Sequence, residues 1–171
     1  QKGTGKWTGM AALEEGTPLT LIVESVFARS LSAMKDQRLE ASRLFPAPAR
    51  SFSGDPDKLV EALRDALYAA KIVSYAQGFE LLQRASTSNG WGLDLASSAR
   101  IWRGGCIIRS AFLDGIASAY DRDPSLANLV LSPRFAGELR ACERSWRKVV
   151  LLATENALPV PARSSALAWV A

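Results

Sequence analysis

The sequence predicts an all-α, multi-helix domain on three observations. Apolar residues recur at helical spacing along nearly the whole chain, alternating strand patterns are almost absent, and the breaks fall at proline, glycine and capping residues. At 171 residues and 48% hydrophobic content, the chain can build one domain with a substantial core. No apolar run approaches the roughly 18 residues that a membrane span requires. The first residues also lack the charged-then-apolar organisation of a signal peptide.

A first helix is expected from Gly5 to about Glu15, stopping at Gly16. Thr17 reads as the cap of a second helix with Pro18 in its first position, where a missing N–H costs nothing. In that helix Leu19, Ile22, Val23, Val26, Phe27 and Met34 share a face, while Leu21, Ala28 and Leu31 carry apolar character round the other side, which predicts a mostly buried helix. The Pro, Ser and Gly of FPAPARSFSGDP, Phe45 to Pro56, mark a loop. Asp55, Pro56 and Asp57 then open a central helix of about 30 residues, roughly 45 Å long, that runs to the breaker STSNG at Ser86 to Gly90. Tyr68 and Tyr75 share a face of it, with core contact as their default role.

Further helices are expected at about Asp94 to Trp102, Gly104 to Tyr120 and Pro133 to Asn156, with a last one starting near Pro161. The stretches GTPLTLIVESVF and ALPVPARSSALAW each set a proline before an apolar helix, and each follows a helix carrying tryptophan beside a basic residue. This hints at a duplicated helical unit whose second copy is cut short at Ala171, with a C-terminal continuation as the economical explanation.

There is no histidine, which removes histidine metal sites, Ser-His-Asp and Cys-His nucleophile systems and the commonest neutral-pH base. The net charge of +4 is spread along the chain among acidic residues rather than gathered into a nucleic-acid stripe. Two cysteines form no disulfide framework and fit a reducing compartment. Cys106, followed by Ile107 and Ile108 and without a histidine to activate it, reads as a buried structural thiol. No carboxylate pair in an apolar setting offers an acid/base dyad.

Small anions remain. The opening QKGTGKWT is not a nucleotide P-loop, because no glycine stands five residues before Gly5 and Trp7 follows Lys6 where a hydroxyl is required. A glycine turn feeding a helix start beside Lys2 and Lys6 nevertheless suits an anionic group. On these eight residues alone, Thr4 as N-cap with two solvated lysines is the commoner arrangement. Arg29, at the margin of the second helix's apolar face, needs a carboxylate or phosphate partner for its forked guanidinium. Position alone favours an internal salt bridge, with Glu14, Glu15 or Glu24 in reach.

Four strings in order, QKGTGKWT, VFARS, ALYAAKIVSYAQGFELL and IWRGGCIIRS, resemble the C-terminal helical domain of the 6-phosphogluconate dehydrogenase family over essentially the whole chain. The resemblance implies NADP-dependent oxidative decarboxylation of 6-phosphogluconate to ribulose 5-phosphate and CO2, in a cytoplasmic homodimer without nucleic-acid or membrane partners. It also implies that residues 1–171 are a substrate-binding and dimerisation domain, lacking the Rossmann coenzyme domain, the catalytic lysine and asparagine region and the C-terminal tail. By the resemblance, Lys2, Thr4 and Arg29 hold the substrate phosphate, whereas Lys6 inherits no role. Ala70 stands where many relatives have serine, away from those ligands. A stand-alone, non-catalytic helical module that binds a phosphorylated metabolite or mediates assembly is the alternative reading.

Overall fold

The computed structural model describes residues 3–49 and 52–171. Among them are eight α-helices, one 3-10 turn and no strand. The helices are α1 (Gly5–Glu14), α2 (Thr20–Ser32), α3 (Lys35–Leu44), α4 (Pro56–Asn89), α5 (Leu95–Gly105), α6 (Phe112–Arg122), α7 (Pro133–Glu155) and α8 (Pro161–Val170), with the 3-10 turn at Leu129–Leu131.

The central element is α4, whose 34 residues span about 50 Å at the usual rise. Asp55 starts it, accepting the Asp57 N–H at 2.9 Å, with Pro56 in the first turn. Ser132 with Pro133 starts α7 in the same manner, and Asp94 caps α5 through the Ser97 N–H. Ser86 to Asn89 stay helical, with the Thr87 and Asn89 side chains turned back to donate to the Gln83 and Ala85 carbonyls. Gly90, at φ 65°, closes the helix in the left-handed conformation.

Ala66, Ala69 and Ala76 of α4 have no solvent exposure, and their small side chains let α7 lie close against the helix with Phe135, Leu139, Trp146 and Val149. Phe79 stacks on Tyr120 at 5.6 Å and meets the edge of Trp102 at 5.2 Å, joining α4 to α5 and α6. Tyr68 and Tyr75 do share a face, both against Phe112 at 6.0 and 5.2 Å. Their hydroxyls donate to Glu138 and to the Ile108 carbonyl.

Four expectations change. Thr17 does not cap α2: its N–H closes the end of α1 onto the Ala12 carbonyl at 2.8 Å, its hydroxyl is buried without a partner among the described residues, and α2 begins only at Thr20. Helix α2 is not mostly buried, since Leu21 is its one buried residue while Phe27, Leu31 and the following Met34 are 61%, 57% and 46% exposed. The helix expected from Gly104 begins instead at Phe112, because α5 runs on through Gly105. The connecting loop is tied to α4, with Lys71 bonded to the Ser110 hydroxyl at 3.0 Å and Tyr75 to the Ile108 carbonyl at 2.9 Å. Finally, α3 adds a helix between Met34 and the loop, with no buried residue to give it a strong sequence pattern.

The two corners that hinted at duplication have matching geometry. Gly16 (φ 62°) and Ala157 (φ 49°) are both left-handed, and the residue after each donates back to a carbonyl five positions earlier, Thr17 to Ala12 and Leu158 to Ala153, both at 2.8 Å. A proline stands two residues beyond each, the next helix starts at Thr20 or Pro161, and α2 and α8 then pack on one another. Alanine pays a steric penalty in this conformation that glycine escapes. Ala157→Gly is therefore expected to stabilise the domain by about 1 kcal/mol, read as a rise in the urea midpoint with unchanged slope; a lower midpoint would show that the corner carries no such strain.

Candidate functional site

Helices α1 and α2 meet through glycine. A Cβ on Gly5 would stand 2.6 Å from the Val26 Cγ2 atom, and one on Gly9 would stand 3.4 Å from that of Val23. The stiff valine methyls leave no room to retreat, so Gly5 is what allows the start of α1 to press against α2. Arg29 lies three residues, about one turn, beyond Val26 on the same side of α2.

The result is an open cleft of about 930 Å³ between the start of α1, the length of α2 and the middle of α4. Lys6, Ser25, Val26, Arg29 and Ser74 are among its lining residues. The first backbone N–H groups of α1 have no intrahelical acceptors, and among the described residues no side chain caps them. Thr4 occupies the cap position with its hydroxyl unused by the helix, while its carbonyl receives both the Thr8 N–H and the Thr8 hydroxyl, at 3.0 and 3.1 Å.

Arg29 is exposed and forms no ion pair or side-chain hydrogen bond among the described residues. The internal salt bridge that position alone favoured is not made. Glu15 instead accepts from Ser88 at 2.7 Å. Among the described residues the cleft thus presents an unpaired guanidinium, an uncapped helix start and the Lys6 side of α1 to solvent, a set of groups whose chemistry suits an anion with several oxygens.

Of the residues singled out in the sequence, Arg29 lines this cleft, Thr4 does not although its neighbours Gly3 and Gly5 do, and Lys2 lies outside the described residues. Lys6, to which the resemblance gives no role, borders the same space. Ser74 has no signal in the sequence, because it is one serine inside an apolar helix and only the packing of α2 across α4 brings it to the cleft. Cys106 is partly exposed at the end of α5 rather than buried. Burial instead belongs to Cys142, where it pushes the thiol above its ordinary range. No group of three or more His, Cys, Asp or Glu side chains is placed for a metal among the described residues.

The model of the 6-phosphogluconate dehydrogenase C-terminal domain family matches residues 1–171. A decarboxylating 6-phosphogluconate dehydrogenase of Treponema pallidum is 55% identical over 175 residues, covering 99% of this chain and 36% of that protein. The human enzyme of the same name is 49% identical, with 99% and 35% covered. Among solved structures, Plasmodium falciparum 6-phosphogluconate dehydrogenase, described as apo and in complexes with NADP+ and 6-phosphogluconate, superposes with a TM-score of 0.94 at 41% identity, covering 99% of this chain and 37% of that one. The chain therefore spans about a third of the length of these relatives. Matched from end to end in both sequence and fold, it belongs to the 6-phosphogluconate dehydrogenase family, as a C-terminal domain.

Proposed function

We propose that this segment holds the phosphate of 6-phosphogluconate for an NADP-dependent oxidative decarboxylation that yields ribulose 5-phosphate and CO2. The observation that carries the reading is Arg29, unpaired among the described residues and facing the cleft that the start of α1 borders. Its forked guanidinium would bind two phosphate oxygens, and Thr4 and Lys2, from the same opening string, would supply a hydroxyl and an ammonium. A dianion gripped from several directions would anchor one end of the sugar acid, and that remote binding energy would orient the reacting carbons.

Among the described residues no strand leads into a glycine-rich turn of the kind that holds a dinucleotide, and NADP and the catalytic groups belong on this reading to the rest of the enzyme. The exposed apolar side chains of α2, Phe27 and Leu31, supply a surface consistent with assembly as a homodimer. A cytoplasmic setting accords with the phosphorylated substrate.

In the full-length protein, Arg29→Ala is expected to raise KM for 6-phosphogluconate at least tenfold and KM for NADP less than twofold. Unchanged KM for 6-phosphogluconate would remove Arg29 from the site.

A further inference from the structure

Helix α2 has no cap of its own. Leu19 stands at the cap position, where a polar side chain would normally receive the N–H groups of the first turn. Those groups are received from a distance. The Gln77 side-chain carbonyl, on the middle of α4, accepts the N–H of Leu21 at 3.1 Å and leans toward that of Ile22 at 3.4 Å. The Gln77 amide nitrogen donates to the Thr20 hydroxyl at 3.1 Å. One side chain with no solvent exposure thus fixes three consecutive residues at the start of α2.

Along its middle α2 packs on α8 and α1, but from Arg29 to Ser32 every residue is exposed. Leu21, beside the clamp, is its only buried residue, and the helix leaves Phe27 and Leu31 in solvent. Arg29 follows Leu21 by eight residues, about 12 Å along the axis, so a small tilt at the clamp is magnified at the guanidinium. One turn earlier on α4, Ser74 lines the cleft that Arg29 faces. A rotation of α2 about its start therefore changes the spacing across the cleft between Arg29, Ser74 and the start of α1.

We infer that Gln77 is a positioning residue for the Arg29 cleft: by capping α2 from α4 it sets where the guanidinium stands, and so the affinity for the anion. The inference rests on the phosphate reading of that cleft. Methionine at position 77 keeps the length of the side chain and removes both polar functions. Glutamate keeps an acceptor for the two N–H groups and gives up the bond donated to Thr20, whose hydroxyl can instead donate to it, and the positive end of the helix offsets part of the cost of burying its charge.

The test uses the full-length enzyme. Gln77→Met is expected to raise KM for 6-phosphogluconate about tenfold while KM for NADP changes less than twofold, and Gln77→Glu is expected to return it to within threefold of the parent. In an Arg29→Ala background Gln77→Met is expected to add less than twofold, because it acts through Arg29; a merely structural fault would persist there. If Gln77→Met does not fold, Thr20→Val decides, with a two- to threefold rise in the same KM expected and an unchanged KM overturning the inference. Folded Gln77→Met with parental KM overturns it as well. Should Arg29→Ala itself leave KM unchanged, the phosphate reading fails first, whereas a raised KM in Arg29→Ala beside an unaffected Gln77→Met refutes the role of Gln77 alone.

Discussion

Phe79→Ala is expected to destabilise the domain by about 3–5 kcal/mol, the usual range for emptying a buried phenylalanine site. Phe79 has no exposure and sits where three helices meet, stacked on Tyr120 of α6 and edge-on to Trp102 of α5. The surrounding aromatic rings are rigid and are themselves held by α4 and its neighbours. They cannot collapse into the vacated volume, so the cavity persists and the cost lies at the upper end of the range. For a chain of this size the thermal midpoint should fall by on the order of 10 °C, and the urea midpoint should fall in parallel. Leu13→Ala is the control, because a side chain 85% exposed should give a change of under about 0.5 kcal/mol. Comparable losses from both variants would show that the aromatic junction is not where stability is concentrated.

Alkaline titration should single out Tyr120. Its hydroxyl is held well above the ordinary 10.0, first by burial and then by the negative charge of Glu80. Below pH 10 both folded and unfolded chains keep the proton, and this group adds no pH dependence. Above it the unfolded chain releases the proton while the folded chain retains it, so the unfolded state binds fewer protons and stability falls as pH rises. The slope from one such group approaches about 1.4 kcal/mol per pH unit. Tyr120→Phe keeps the ring stacked on Phe79 and abolishes the titration. Burial also raises the phenols of Tyr68 and Tyr75, but these are common to both proteins and cancel in the comparison. Urea midpoints of parent and variant should run parallel from pH 7 to 9 and diverge above pH 10, with the parent losing more; parallel curves to pH 11.5 would show that Tyr120 ionises freely in the folded chain.

Sequence revealed the fold where the signal was local. Asp55 with Pro56, Pro133 and the terminal Gly90 each act within a few residues of a helix end, and the boundaries they imply are observed. Thr17 with Pro18 presented an equally good local signal, yet the ending of α1 had a prior claim on the Thr17 N–H, and the next helix had to wait for Thr20. Apolar periodicity marked α2 correctly as a helix, but periodicity states only which residues share a face, not whether anything covers it. The same divide runs through the cleft. Arg29 was visible as a cation at an apolar margin, whereas Ser74 and Gln77 owe their significance to a crossing between segments more than 40 residues apart in sequence. The matched corners at Gly16 and Ala157 lie between these cases, because proline placement hinted at them and only the backbone angles made them equivalent.

The contrast between α3 and α4 extends to motion. Helix α3 buries no residue, whereas α4 carries a run of side chains without any exposure. Amide exchange in α3 should proceed through cheap local opening, while the middle of α4 should exchange only when the whole domain unfolds. Helix α2 spans these two regimes, clamped to α4 at Thr20 to Ile22 and joined at Ser32 to the segment leading into α3. Arg29 stands near the compliant end of that gradient. On the phosphate reading, a helix held firmly at its start and exposed from Arg29 onward would let the guanidinium settle onto an arriving anion by flexing the last turn of α2 instead of by remaking the core.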